Sequence, residues 1–309
     1  MVPSTLRVQS LSETKVRALR VGEEEVLLSI LDKTFGVFHS EKEARSLLSS
    51  ARFDLNGCFI AEEDGSPVGS VAVTRLPRNN WFVIRYLAVG RRGKKAEIAG
   101  ALLTRALDYA KSRSAEFIRA TTPAIQPYVS IYKKHGFVPL RRDFRISWEI
   151  GQTTGEGKVH LRVVEVSEET SREAAQVFVR TLSPIWDWRT EEQGGPARVA
   201  DSFREGLMRG ERWFLCHEDG NIVGLAGLIP DYYKSGEARF RGAYVVPEHR
   251  GKGIGLAVMK EALSLARKMG QHRMVVYTFS NLDCLAPGAL LYLRSGGRIE
   301  TEYTMLAMP

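Results

Sequence analysis

The sequence predicts an α/β fold that occurs twice in one chain, each half forming a mixed sheet covered by helices. The first observation is a repeated segment: CFIAEEDGSPVGSVAVTRLP (58–77) matches WFLCHEDGNIVGLAGLIP (213–230). Asp64, Gly65 and Gly69 each stand 155 residues before their counterparts. Each copy is an apolar run, an acidic Asp-Gly turn and a second apolar run, which is the signature of a β-hairpin.

Other elements recur in the same order in both halves. LRVGEEEVLLSILDKTFG (19–36) and LRVVEVSEETSREAAQVFVRTL (161–182) each indicate a strand that enters an amphipathic helix. IYKKHGFVPL (131–140) corresponds to LYLRSGGRIE (291–300). Each half therefore reads strand, helices, hairpin, strand, helix, strand, helix, strands, which predicts a mixed sheet with helices on its faces.

The length of 309 residues suits two domains of about 150 residues each. A Gly/Thr-rich stretch, GQTTGEGK (151–158), has the composition of a short linker. We therefore expect one domain at 1–152 and a second at 159–309.

Composition excludes several classes of protein. No apolar run approaches the roughly 18 residues of a membrane span, and the first residues do not resemble a signal peptide. Three widely spaced cysteines argue against a disulfide framework and favour a reducing compartment, so we expect a cytoplasmic protein without a membrane partner. Six scattered histidines lack ligand spacing, and no metal site is expected.

The net charge of +8 lies entirely in the first half of the chain. Residues 85–145 carry 14 basic and four acidic side chains. Such a segment could bind phosphates, an acidic protein or RNA, or form a solvated basic face without a partner. Because the segment has no basic stripe with aromatic residues interleaved along it, the pattern argues against nucleic acid without excluding it.

A glycine-rich segment, GAYVVPEHRGKGIG (242–255), joins a strand to a helix. Pro247 ends the strand after Val246, and the residues from Arg250 to Gly255 open the helix. Glycines there let backbone N–H groups converge at the positive end of a helix dipole, where a pyrophosphate binds well. The segment matches neither the dinucleotide fingerprint nor the P-loop pattern.

This segment resembles the acyl-CoA-binding motif of the GNAT acyltransferase superfamily. The core pattern [Q/R]-x-x-G-x-[G/A] is met by Arg250, Gly253 and Gly255, within V-x-P-x-x-R-G-x-G-I-G. LYLRSGG resembles the Y-x-x-x-G-F helix of the family, with Gly297 in place of the Phe. The resemblance covers almost the whole chain, once per half, and implies two tandem GNAT-like acyl-CoA N-acyltransferase domains.

The first copy of the motif departs from the pattern. In AVGRRGKKAEIAGALL (88–103), Lys94, Glu97 and Ala99 align with Arg250, Gly253 and Gly255. A glutamate at this place fills space that phosphates need and repels their charge. We therefore expect domain 1–152 to be non-catalytic, serving as structure, as a wall of the acceptor site or as a docking surface.

The resemblance implies that the second domain transfers an acetyl group from acetyl-CoA to a primary amine by direct attack. Backbone N–H groups near the strand end would hold the pantetheine arm and the thioester oxygen, and Tyr292 would protonate the departing thiolate. The alternative for Tyr292 is a core tyrosine with a satisfied hydroxyl. The implied cofactor-binding residues are Tyr244, Val245, Val246, Arg250, Gly251, Lys252, Gly253, Ile254, Gly255 and Asn281.

Two positions depart from the family pattern in the second domain. Asn281 lies eleven residues before Tyr292 instead of seven, so it either contacts the cofactor, caps the helix or starts a turn. Arg239 occupies the place of the glutamate that often serves as general base. Glu237 lies two residues earlier and, by strand parity, on the same face; it acts through a water or is a solvated turn residue. Alternatively, the general base is a water molecule or a residue of the first domain.

The acceptor is expected to bind the loop TLSPIWDWRTEEQGG (181–195). Trp186, Asp187 and Trp188 could clasp a cationic amine by stacking and charge, or the tryptophans pack on the core while the acid faces water.

Two alternatives to an amine acetyltransferase remain open. The departures at Arg239 and Asn281 also suit an acyl-CoA-binding regulatory or docking module without turnover. The basic segment 85–145 suits an acyltransferase that acts on RNA or on an acidic protein.

Overall fold

The computed structural model describes residues 14–35, 45, 53–76, 80–90, 95–151, 159–182, 190 and 194–308. The chain divides into two compact units. The first contains Met1–Pro139 together with Leu306–Pro309, and the second contains Leu140–Met305.

The first unit is a mixed sheet with helices on both faces. Its strands lie in the order β1-β2-β3-β4-β5; β4 and β5 are parallel and the other neighbours antiparallel. One face of the sheet packs on α2 and α3 and the other on α1. The elements are β1 (Thr14–Ala18), α1 (Glu24–Phe35), β2 (Phe53–Glu63), β3 (Ser66–Arg75), β4 (Trp81–Val89), α2 (Lys95–Ser112), β5 (Phe117–Pro123) and α3 (Gln126–Lys134).

The second unit repeats this arrangement and adds two strands, β6 and β12, beside β11. Its strands lie in the order β12-β6-β11-β10-β9-β8-β7, and β10 and β11 form the parallel pair. The elements are β6 (Val138–Glu149), β7 (Arg162–Glu165), α4 (Ser171–Leu182), α5 (Gly195–Met208), β8 (Arg212–Glu218), β9 (Asn221–Lys234), β10 (Glu237–Val245), a 3-10 turn (Pro247–His249), α6 (Ile254–Lys268), β11 (Arg273–Ser280), α7 (Pro287–Arg294) and β12 (Arg298–Met308).

Strand β6 belongs to the second unit, although the sequence repeat counts it with the first half. It lies between β11 and β12 and pairs antiparallel with β11, from Arg142 opposite Ser280 to Glu149 opposite Arg273. Along the chain, the boundary between the units therefore falls between Pro139 and Leu140, whereas the sequence places it between 152 and 159. The difference arises because the pairing of β6 is a long-range contact that local composition does not encode. Residues 152–158 of the expected linker lie outside the described residues.

A β-bulge separates β10 from its parallel neighbour. The pairing of β10 with β9 shifts register between Phe240 and Gly242, and the pairing with β11 ends at Arg239 opposite Val275. Gly242 has a φ of 132°, and a Cβ there would lie 2.8 Å from the Tyr244 ring, so the bulge requires glycine. A bulge bends its strand and increases the local twist, and β10 consequently leaves β11.

The first unit has a corresponding β-bulge, in β4. The register between β3 and β4 shifts between Ser70 and Ala72, with Tyr86 at a φ of 56°. The parallel pairing of β4 with β5 ends at Ile84 opposite Ala120. The repeat seen in the sequence is thus also a repeat of backbone irregularities.

Buried charges hold the beginning of β10 against β6 and β11. Glu237 is 2% exposed and lies 2.9 Å from Arg273, 3.5 Å from Arg145 and 3.6 Å from Lys234. Arg145 and Arg273 also form ion pairs with Glu300 of β12. Four neighbouring strands are therefore joined by one network, in which each buried charge has an opposite charge beside it.

Replacing Glu237 with Gln should destabilise the protein strongly. The substitution removes one partner of a buried network and leaves guanidinium charges uncompensated, which typically costs about 3–5 kcal/mol. Glu165→Gln is the matched control, because the pair of Glu165 with Arg212 is largely exposed and should contribute less than about 1 kcal/mol. Urea unfolding of both variants measures the free energy of unfolding. Equal, small losses would contradict a stabilising role for the network.

Candidate active site

The departure of β10 from β11 creates an opening that exposes backbone donors; we call it the β10–β11 opening. The Val246 N–H donates to the Val223 carbonyl at 3.0 Å, on the β9 side. Because N–H groups alternate in direction along an antiparallel strand, Tyr244 also points its N–H toward β9. The N–H groups of Ala243 and Val245 consequently point toward β11, into the opening.

The backbone N–H groups that face the opening differ in part from those predicted from the sequence. Among the predicted residues 244–246, Val245 faces the opening, whereas the Val246 N–H is used by β9. The Tyr244 ring packs against Phe178 and Trp213 on the other face of the sheet. Ala243 was missed. Gly242 is the sequence signal for it, because glycine inside a strand marks a bulge that changes which N–H groups are exposed.

Tyr292 of α7 reaches the opening with its hydroxyl. The side chain is 7% exposed and its ring contacts Trp148 of β6 and Phe240 of β10, at centroid distances of 5.6 and 5.8 Å. Burial raises the pKa of the Tyr292 hydroxyl, and the nearby Tyr244 phenol adds to the rise. The Ala243 N–H donates to the hydroxyl, which lowers this pKa in part. The phenol therefore stays protonated at neutral pH and can act as a proton donor.

The glycine loop ends at an open helix N-terminus. Gly251 and Gly253 have φ values of 77° and 85°, and no atom lies within 4 Å of a Cβ built on either one. Gly253 is the N-cap of α6, and no side chain caps the helix. Ile254 is buried beneath the loop, and Gly255 lies against Leu291 of α7. The first N–H groups of α6 are thus available to an anion.

The two cations of the loop have different surroundings. Arg250 donates from Nε to the Val245 carbonyl at 3.1 Å and from Nη2 to the Thr181 carbonyl at 2.7 Å. It therefore ties the loop to the end of β10 and to the end of α4. Lys252 is exposed. Its ammonium group is the flexible charge that can approach a bound phosphate.

The Ser280 hydroxyl accepts a hydrogen bond at 2.8 Å from the N–H of Ala286, the residue that precedes α7. Asn281 is exposed and its amide lies 3.9 Å from Cys284 Sγ. Asn281 does not cap the helix, because α7 begins without a side-chain cap. Cys284 is exposed and Cys58 and Cys216 are buried; all three are free.

Glu237 does not reach the opening. It starts β10, six residues before Ala243, which corresponds to about 20 Å along a strand. The register shift between Glu237 and Arg239 lies in β9, which advances five residues for two of β10, and β10 pairs regularly with β11 over the same residues. The carboxylate serves the ion-pair network instead. Trp186, Asp187 and Trp188 lie outside the described residues.

The first unit has a helical turn where the second has its glycine loop. The buried positions of α2 and α6 correspond at a constant offset from Ile98 and Ile254 onward, so Glu97 corresponds to Gly253. However, α2 already begins at Lys95, whereas α6 begins at Ile254. Glu97 is exposed within the first turn of α2. Gly93 and Lys94 lie outside the described residues.

The described residues contain no cluster of three or more His, Cys, Asp or Glu side chains arranged for a metal ion. Among the described helices, none combines the length and apolar character that crossing a membrane requires.

Three chemical capacities meet at the β10–β11 opening. Fixed backbone donors can polarise a carbonyl oxygen, a protonated phenol can supply a proton to a leaving group, and an uncapped helix N-terminus beside a lysine can hold phosphates. The combination suits a donor that has a diphosphate at one end and a reactive carbonyl at the other.

Comparison with known proteins agrees with this geometry. The model of the acetyltransferase (GNAT) family matches residues 25–137 and 180–285, more than half of the chain. No curated protein sequence matches significantly. A GCN5-related N-acetyltransferase from Sphaerobacter thermophilus superimposes with a TM-score of 0.70 at 18% identity, covering 95% of this chain and 95% of its own.

A tandem GNAT protein from the clavulanic acid biosynthesis pathway superimposes with a TM-score of 0.64 at 16% identity, covering 96% of this chain and 98% of its own. At these identities the structural likeness concerns the fold alone. The tandem fold predicted from the sequence is confirmed. The chain belongs to the GNAT family of acetyltransferases and consists of two GNAT-like domains in tandem.

Proposed function

We propose that the protein is an N-acetyltransferase that transfers the acetyl group of acetyl-CoA to a primary amine, with its active site at the β10–β11 opening. One observation carries the proposal. The Ala243 and Val245 N–H groups and the Tyr292 hydroxyl meet at an opening that lies at the end of β10, next to the uncapped N-terminus of α6.

The glycine loop suits the diphosphate of acetyl-CoA. Gly251 and Gly253 leave open space above the helix N-terminus, which allows phosphate oxygens to approach the N–H groups. Lys252 adds a positive charge, and Arg250 holds the loop to the end of β10. Only a few residues separate the glycine loop from Ala243 and Val245. The pantetheine arm would therefore run along the end of β10 to the N–H groups of these two residues.

The residues at the opening then have separate roles in direct transfer. The Val245 N–H donates to the thioester oxygen, where negative charge develops as the amine attacks the carbonyl carbon. A carbon–nitrogen bond forms, the carbon–sulfur bond breaks, and Tyr292 passes its proton to the sulfur. The proton lost by the amine restores the phenol through solvent. We assign no side chain as general base, because Glu237 is committed to ion pairs far from the opening.

The first domain is proposed to be non-catalytic. The start of α2 at Lys95 and the exposed carboxylate of Glu97 support this assignment, since a helical turn stands where the second domain has glycines. We also propose a cytoplasmic location, which three free cysteines favour.

A second candidate is an acyl-CoA-binding module without turnover. The position of Glu237 favours it, because a strand carboxylate that could deprotonate the acceptor is absent from the opening among the described residues. The two candidates share the donor site and differ in the role of Tyr292.

Calorimetric titration with acetyl-CoA should give one site per chain. Gly253→Glu should weaken binding at least about tenfold, because a side chain is strained at the Gly253 φ of 85°, occupies the open space above the helix N-terminus and adds a carboxylate that repels phosphates. Gly270→Glu is the matched control: Gly270 follows the other end of α6 and has a similar φ of 75°. It should leave the affinity unchanged. Two sites per chain, or equal effects of both substitutions, would contradict the assignment.

Tyr292→Phe should lower kcat about 100-fold at unchanged affinity for acetyl-CoA, since loss of a general acid typically costs 10²–10⁴-fold. The assay is release of CoA in the presence of a panel of primary amines. Tyr132→Phe, which alters the corresponding buried tyrosine of the first unit, should leave kcat unchanged. If the wild-type protein binds acetyl-CoA but acetylates none of the amines, the module without turnover is the correct account.

A further inference from the structure

The second unit contains a cavity of about 470 Å³ at its outer edge, between the β7–β8 pair and the first turn of α4. We call it the edge cavity. Among its lining residues are His160, Arg162, Val164, Glu173, Leu215 and His217. Its volume lies in the range of small-molecule sites. Strands β8 and β7 lie two and three places from β10, about 10–15 Å away, so the edge cavity is separate from the β10–β11 opening.

The strand face of the edge cavity has a polar end and an apolar end. Arg162 is paired in register with His217, and Val164 with Leu215. Side chains two residues apart on a strand share a face, at a spacing of about 6–7 Å. A basic cross-strand pair therefore stands directly beside an aliphatic cross-strand pair.

The charges of the edge cavity are unpaired. In the part of the chain that the structure describes, neither Arg162 nor Glu173 has an ion pair or a side-chain hydrogen bond. On the opposite face of the same strands, Arg212 and Glu165 lie 2.6 Å apart. Arg162 and Glu173 are both exposed, so a molecule in the edge cavity can reach both charges.

His217 lies on the strand face of the edge cavity, in register with Arg162. Its Nδ1 is buried and has no hydrogen-bond partner among the described residues, so a molecule in the edge cavity cannot reach it. Nε2 is therefore the ring nitrogen that can contact such a molecule.

We propose that the edge cavity binds a free α-amino acid with an apolar side chain. Its carboxylate lies on Arg162 and His217, its ammonium group on Glu173, and its side chain on Val164 and Leu215. Asp219 also lines the edge cavity, so an anion alone would leave the carboxylates of Glu173 and Asp219 without a partner, and a cation alone would leave Arg162 without one. An α-amino acid carries both charges and can therefore pair with Arg162 and with Glu173. The aliphatic pair of Val164 and Leu215 favours a side chain such as that of leucine.

Calorimetric titration of the full chain with leucine tests the proposal. We expect one site per chain. Leucine without its carboxylate (3-methylbutylamine) and leucine without its ammonium group (4-methylpentanoate) should each bind at least about tenfold more weakly, because each loses a charge-assisted hydrogen bond. The absence of binding at about 10 mM leucine, or equal binding of the three compounds, would overturn the proposal.

Variants then locate the site. Arg162→Gln and Glu173→Gln should each weaken leucine binding at least about tenfold, whereas Arg212→Gln, on the opposite face of β8, should change it less than twofold. Equal binding by all three variants would place leucine elsewhere and refute the assignment. Acetyl-CoA titration of the same variants reports on their fold. Failure of acetyl-CoA to bind the wild-type protein would leave the leucine result unaffected, so the two proposals fail separately.

Discussion

The separation of β10 from β11 is the feature on which the rest of the second unit depends. It follows from one extra residue in β10 and from a glycine at 242, the residue type whose φ and lack of a Cβ fit the bulge. The separation turns the Ala243 and Val245 N–H groups away from β9 and gives Tyr292 room to reach them. A regular strand at this place would use all of its N–H groups in pairing, and no donor would be left for a substrate.

The support for this opening comes from a strand that precedes the second half in sequence. Trp148 of β6 packs against Tyr292, and its indole N–H donates to Ser295 at the end of α7. Arg145 of the same strand joins the network of Glu237. The tyrosine that faces the opening is thus positioned by a residue that the repeat counts with the other domain.

Sequence predicted best where the physics is local. The glycine loop was predictable because Gly251 and Gly253 have positive φ values, which favour glycine locally. The internal sequence repeat predicted the tandem fold. Positions that depend on strand register were harder to predict from the sequence. Whether Val245 or Val246 points into the opening depends on a bulge, and the place of Glu237 depends on strands far away in sequence. The longer loop before α7 separates Asn281 from the helix, which begins without a side-chain cap.

Hydrogen exchange of the whole chain, followed by mass spectrometry with and without acetyl-CoA, tests the central claim most directly. The account predicts slower exchange on binding at residues 240–246 and 251–257, where donors of the opening and of the helix N-terminus engage the ligand. It predicts no change at residues 84–90 and 95–100 of the first unit. Protection of the first unit alone, or of neither region, would contradict the assignment of the donor site to the β10–β11 opening.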